Sequence, residues 1–156
     1  MSKIAPCLWF ESAAEEAANF YVSVIPDSSI THVQKNASDG PSGPAGSVLI
    51  VEFRLAGQRF LALNGGMKME YTPAISLAVD VADQAELDRV WDGLLAGGGK
   101  TEQCGWLKDR YGVSWQVVPS AIGRWMADPV KGARVMQSLM GMVKLDIAAL
   151  EKAWQG

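Results

Sequence analysis

The feature that most constrains the fold of this chain is an internal repeat, because the order of sequence patterns in its first half returns in its second half. Each half begins with a predicted strand and a predicted helix, and further strands follow. Self-similarity of this kind indicates two copies of one supersecondary unit, here βαβββ, and therefore an α+β protein. The predicted elements are strands at 4–10, 29–34, 47–55 and 58–64 with a helix at 12–23, then a strand at 74–80, a helix after Asp83 and strands at 100–107 and 113–119.

Both predicted helices begin with the same kind of signal. Ser12 is a good N-cap, and Glu15 three residues later completes a capping box. Asp83 and Glu86 repeat that spacing before the second helix. The turn at 56–57, Ala-Gly, predicts a tight hairpin between the third and fourth strands.

The length of the chain favours a single domain over residues 1–156. Within it we expect a first module at about 1–66 and a second module at about 72–120. The remaining segment, about 121–156, is Met-rich and helical in pattern. We expect this tail to pack on the repeats or across a partner subunit.

Composition excludes several classes of function. A formal charge of −3 and a pI of about 5.1 argue against nucleic-acid binding. No segment approaches the roughly 18 apolar residues of a membrane span, and the N-terminus lacks the features of a signal peptide. Cys7 and Cys104 form no CxxC pair, so we expect a reducing, cytoplasmic location.

Three stretches of the sequence resemble a known family. They are CLWFESAAEEAANFYVSVIPDSSI, VEFRLAGQRFLALNGG and CGWLKDRYGVSWQVVP, and the tail adds KLDIAALE. This order resembles the PhnB-like family, which carries the name 3-demethylubiquinone-9 3-methyltransferase and belongs to the glyoxalase, bleomycin resistance and dioxygenase (vicinal oxygen chelate) superfamily. The resemblance implies two βαβββ modules that form a curved mixed sheet around a cleft, C-terminal helices and a homodimer.

The resemblance also implies where a metal ion would bind. Metal-dependent members of the superfamily place ligands on the first and last strands of each module, usually His, Glu or Gln. The matching positions here are Pro6 or Cys7, Glu52, Ala74 and Gln116. Proline and alanine have no ligating side chain, and the set contains no histidine. We therefore expect neither a bound metal nor another cofactor.

Glu52 is the charged residue most suggestive of function. In a cleft it could act as a general base with a raised pKa, or accept a hydrogen bond from a ligand. The alternative is a surface partner for Arg54 or Arg59. Aromatic side chains beside the predicted strands could together line an apolar pocket, although for each one taken singly core packing is the favoured interpretation. The predicted ligand-binding residues are Trp9, Cys7, Glu52, Trp115 and Gln116, and Glu52 is the predicted catalytic residue.

These observations favour a metal-free protein that binds a small molecule and acts as a homodimer, without nucleic-acid or membrane partners. The alternative is an enzyme of the same superfamily, of lyase, isomerase or dioxygenase type, that uses Glu52. Methyl transfer is disfavoured because a Rossmann-type methyltransferase needs a glycine-rich turn before its first helix. The sequence has Glu-Ser-Ala at 11–13 in that place.

Overall fold

The computed structural model describes residues 2–156, and it divides the chain into two compact units. The first module comprises the described residues up to Glu70, and the second module comprises Tyr71–Gly156. Each contains an open four-stranded mixed sheet with a helix after its first strand. The predicted α+β class and the repeated βαβββ order are therefore confirmed. The cleft and the single-domain arrangement stay predictions.

The first module is a sheet in the order β1-β4-β3-β2, parallel between β1 and β4 and antiparallel elsewhere. Side chains alternate between its two sides, as the pleat requires. Helix α1 covers one side, where Tyr21 stacks on Phe53 with ring centroids 6.3 Å apart. The elements are β1 (Cys7–Phe10), α1 (Ala14–Val24), β2 (Ser29–Lys35), β3 (Val48–Leu55) and β4 (Gln58–Asn64).

The start of α1 differs from the prediction. Ser12 does not cap the helix, because the N-cap position is Ala13, which offers no side-chain acceptor. Instead, the buried Asn64 at the end of β4 accepts a hydrogen bond from the Ala14 N–H at 2.8 Å. Its amide nitrogen also donates to the Val48 carbonyl at 3.0 Å. A tertiary contact thus replaces the capping box that the local sequence indicated.

The second module repeats the sheet with shorter strands, in the order β5-β8-β7-β6. The predicted strand at 100–107 is two short antiparallel strands joined by a turn, because Cys104 and Gly105 both have positive φ angles, 62° and 82°. The predicted cap of the helix is confirmed, since Asp83 accepts from the Glu86 N–H at 2.8 Å. The elements are β5 (Leu77–Val81), α2 (Gln84–Leu95), β6 (Lys100–Thr101), β7 (Trp106–Lys108) and β8 (Ser114–Pro119).

The tail is helical, as predicted, and packs on the second module. Its helices are α3 (Ile122–Met126), α4 (Pro129–Met140) and α5 (Ile147–Gln155). The N–H groups of Cys104 and Gly105 donate to tail carbonyls at 142 and 143, each at 2.8 Å. Leu145 is buried beside Gly105. None of the helices in residues 2–156 is long and apolar enough to cross a membrane.

Candidate functional site

One side of the first sheet, the side away from α1, carries most of the candidate residues of that module. In the strand register Cys7 lies opposite Leu61, Leu61 opposite Glu52, and Glu52 opposite His32. Residues in register point to the same side, so these four form one row across the sheet. We call this side the outer face; it consists of Cys7, Trp9, His32, Gln34, Ile50, Glu52, Arg54, Arg59, Leu61 and Leu63.

Trp9 is held in a fixed position at one end of the outer face. Its indole ring lies against Gly65, where an added methyl group would overlap the ring. Its Nε1 donates a hydrogen bond to the Met67 carbonyl at 2.8 Å. The half-buried indole and the exposed Met67 side chain together place apolar surface beside β1. The segment that follows β4 therefore holds the Trp9 ring in one orientation, as an aromatic wall beside β1.

Glu52 and Arg59 form a two-bond ion pair at the other end of this face. Arg59 Nε and Nη2 donate to the two carboxylate oxygens at 2.9 and 3.0 Å. The hydrogen bonds from Arg59, and then its positive charge, hold the pKa of Glu52 below its ordinary value, although partial desolvation opposes this. This direction is opposite to the raised pKa that a general base in a cleft requires. A catalytic role for Glu52 stays a prediction.

Cys7 is an exposed thiol at the edge of the outer face. Partial desolvation raises the pKa of this thiol, so the neutral form is favoured at physiological pH. A neutral thiol is a weak nucleophile and a weak metal ligand. Cys7 is therefore suited to apolar contact with a ligand, next to Leu61.

The two candidate residues of the second module lie on opposite sides of β8. Gln116 is half-buried, and its Nε2 donates to Ser76 Oγ at 3.0 Å. Trp115 is only 2% exposed and belongs to the core of the module. Its Nε1 donates to Asp109 Oδ2 at 2.9 Å. Trp115 therefore offers no accessible surface to a ligand in this arrangement.

The strand register of the first module corrects the positions expected for a metal ion there. Glu52 lies on β3, whereas the last strand of the module is β4. The residue of β4 opposite Cys7 is Leu61, which cannot ligate a metal. Both carboxylate oxygens of Glu52 already accept from Arg59.

In the second module, too, positions expected for a metal ion lack ligating side chains. Ala74 precedes β5, and the residue of β5 that pairs with Gln116 is Ala78. Neither alanine can ligate a metal. Across residues 2–156, no group of three His, Cys, Asp or Glu side chains is placed to hold an ion. The donors present do not fit the metal centre of the superfamily.

Comparison with known proteins identifies the family. A family model described as 3-demethylubiquinone-9 3-methyltransferase matches residues 2–118. The chain belongs to this PhnB-like family. The match ends at Val118, within β8, so the family model does not extend into the tail. A comparison with the curated proteins finds no match.

One solved structure supports the same family, and two others of lower identity share the fold alone. The PhnB protein from Bacillus cereus is 36% identical, with a TM-score of 0.67, over 75% of this chain and 99% of that chain. Protein PA1353 from Pseudomonas aeruginosa is 21% identical, with a TM-score of 0.60, over 76% and 98%. The fosfomycin resistance protein FosX from Mesorhizobium loti is 12% identical, with a TM-score of 0.56, over 82% and 100%, a likeness of fold alone.

Sequence reasoning missed the importance of Arg59, which it treated only as one possible partner of Glu52. The tight turn at 56–57 contained the missing signal, because it pairs Leu55 with Gln58 and so sets Glu52 opposite Leu61. Arg59 then falls diagonally across from Glu52, within reach of a long side chain. No local sequence pattern predicts the contact between Trp9 and Gly65, since this contact depends on the path of the chain after β4.

Proposed function

We propose that this protein binds a small, largely apolar molecule, without a metal ion, on the outer face of its first module. The observation that carries the proposal is the preset wall formed by Trp9, fixed by Gly65 and Met67. An aromatic surface that is already oriented loses little conformational freedom when a ligand binds.

The apolar middle of the outer face supports this proposal. Ile50, Leu61 and Leu63 lie side by side in the register of β3 and β4, and each is half-buried. The opposite side of the same strands is occupied by the α1 core, with Val51, Phe53 and Ala62 fully buried. A ligand on the outer face would remove further apolar area from water, which is the main source of affinity for such molecules.

The name of the family does not lead us to propose methyl transfer. In each sheet only the first and last strands run parallel, whereas a Rossmann-type sheet is mostly parallel. The connections before α1 and α2, at residues 11–13 and 82–83, contain no glycine. The Gln116 side chain of the second module stays a predicted ligand contact, and the buried Trp115 is not part of this proposal.

Titration with N-phenyl-1-naphthylamine, a neutral probe that fluoresces in apolar surroundings, tests the proposal. We expect saturable binding to the folded protein, weakened about tenfold in Leu61→Gln by the loss of apolar contact and the burial of an amide. Val130→Gln on α4 is the matched control, because Val130 is exposed and lies in the second module. Absence of saturable binding, or equal effects of the two substitutions, would contradict the proposal. Circular dichroism checks that each variant is folded.

We also propose that the protein is a cytoplasmic homodimer. Isologous dimers are the commonest closed assembly, and both cysteines are free thiols, as a reducing compartment favours. Size-exclusion chromatography with light scattering should give twice the mass of the 16.8 kDa chain. A concentration-independent monomer would contradict the dimer. Cell fractionation that places the native protein outside the cytoplasm would contradict the location.

A further inference from the structure

The charged end of the outer face contains more positive than negative charge. Arg54 and Arg59 pair directly across β3 and β4, and Glu52 is the carboxylate placed between them and His32. The two guanidinium groups and the one carboxylate together carry a net charge of +1. A ligand that brought one negative charge would neutralise it.

Arg59 retains capacity to bind an anion. Its guanidinium has five N–H donors, and two of them are used by Glu52. Within residues 2–156 no further acceptor engages Arg59. The side chain is 28% exposed, so the remaining donors are partly shielded from water while still open to a ligand. Charge-assisted hydrogen bonds in such surroundings are stronger than those between neutral groups.

The apolar surface begins directly beside this cation. Leu61 follows Arg59 by two residues on the same side of β4, and Leu63 follows Leu61 in the same way. Trp9 lies opposite Leu63. The path along β4 from Arg59 to Leu63 is about 13 Å at the usual rise of a strand. The outer face is thus cationic at one end and aromatic at the other, over the length of a two-ring or three-ring organic molecule.

We propose that the ligand is an amphipathic organic anion, whose apolar body lies on Leu61, Leu63 and Trp9 and whose carboxylate or similar group binds Arg59. This inference rests on the proposed function and adds the chemical class of the ligand. Glu52 orients the guanidinium through two of its donors and, because it is itself an anion, competes with the ligand. Arg59 therefore selects for negative charge, and the apolar residues supply affinity that does not depend on charge.

Two probes with the same aromatic body separate these contributions. 8-Anilinonaphthalene-1-sulfonate carries an anionic group that N-phenyl-1-naphthylamine lacks. We expect Arg59→Gln to weaken binding of the sulfonate about tenfold, as for loss of one charge-assisted bond, and to change binding of the neutral probe by less than about twofold. Glu52→Gln should strengthen binding of the sulfonate about threefold, because the competing charge is gone. The matched control is Arg89→Gln, which removes an exposed guanidinium from α2 in the second module.

The outcomes distinguish this inference from the proposed function. If the neutral probe binds and Arg59→Gln affects both probes equally, Arg59 has only a structural role and the inference is overturned. If Arg89→Gln weakens the sulfonate as much as Arg59→Gln does, the effect is one of overall charge, which also overturns it. If neither probe binds the native protein, the proposed function fails and the inference fails with it.

Discussion

The first sheet has strands of four, seven, eight and seven residues, whereas the second has strands of five, two, three and six. Both modules follow the same order of elements, yet the second module has shorter strands and therefore a smaller sheet. Where β6 and β7 are short, the tail supplies backbone partners at Cys104 and Gly105 and buries Leu145. We infer that the second module depends for its stability on a segment beyond the family match, which ends at residue 118.

The helices differ in a complementary way. Helix α2 is capped from its own sequence, by Asp83, and Glu86 reaches back to the Ala82 N–H at 2.7 Å. Helix α1 is capped by Asn64, fifty residues away in the chain. In the first module a hydrogen bond thus links α1 to β4, the last strand. The chain then continues from β4 into the segment that holds Trp9.

The largest expected effect concerns the tail. Leu145→Ala should lower the free energy of unfolding by about 3 kcal/mol, because it leaves a cavity next to Gly105. Urea unfolding measures the change. Val143→Ala is the control, since that side chain is 39% exposed while its carbonyl keeps the bond from Gly105. If both variants cost the same small amount, the second module does not depend on the tail.

A smaller effect is expected in the first module, at the wall of the outer face. Gly65→Ala would overlap the Trp9 indole and should cost about 2 kcal/mol, as overpacking does. It should also weaken binding of the neutral naphthylamine probe, because Trp9 can no longer keep its bond to Met67. Gly40→Ala is the control, because a methyl group there would meet no atom within 4 Å. An unchanged probe affinity in Gly65→Ala would contradict a role for Trp9 in binding.

The two helix caps should differ in how much they stabilise their modules. Asn64→Ala should cost about 1.5 kcal/mol, because it removes the acceptor of the Ala14 N–H inside the module. Asp83→Ala should cost about 1 kcal/mol in the second module. Ser12→Ala should change the stability by less than about 0.5 kcal/mol, since Ser12 makes no cap bond. A large loss of stability in Ser12→Ala, measured by thermal or urea unfolding, would contradict the Asn64 cap and support the capping box that the local sequence predicts.

The smallest effect is one of pH. Because Arg59 lowers the pKa of Glu52 in the folded chain, their pair stabilises the protein above the ordinary carboxyl value of 4.5, and this contribution is lost as the pH falls below it. Glu52→Gln should therefore reduce the loss of thermal stability upon acidification. Glu70→Gln, at a carboxylate that is 84% exposed, is the control. Identical acid profiles for the native protein and Glu52→Gln would show that the pair adds nothing to stability.

Much of the fold could be predicted from the sequence because its signals are local. The period of the apolar residues, the turn at 56–57 and the cap at Asp83 each depend on a few neighbouring residues. The Asn64 cap, the split of the strand at Cys104 and the tail contacts could not be predicted, since they join residues far apart in the chain. The sequence predicts a helical tail, but the side that the tail covers depends on tertiary packing.

The candidate site was less predictable for a related reason. Glu52 and Trp9 are residue types suited to binding, and both lie on the outer face. Trp115 is suited to binding on the same grounds, yet the alternation along β8 places it in the core and Gln116 on the other side. A shift of one residue in a strand reverses the side, so composition alone cannot separate neighbours such as these.

The outer face is tested most directly as a binding site by mapping the binding of N-phenyl-1-naphthylamine with amide chemical shifts in the labelled protein. We expect saturable shifts concentrated in β1, β3 and β4 and in the segment after β4, with Leu61, Leu63 and Trp9 among the residues most affected. Saturable shifts confined to other parts of the chain, or no shifts at saturating probe, would contradict a ligand-binding outer face.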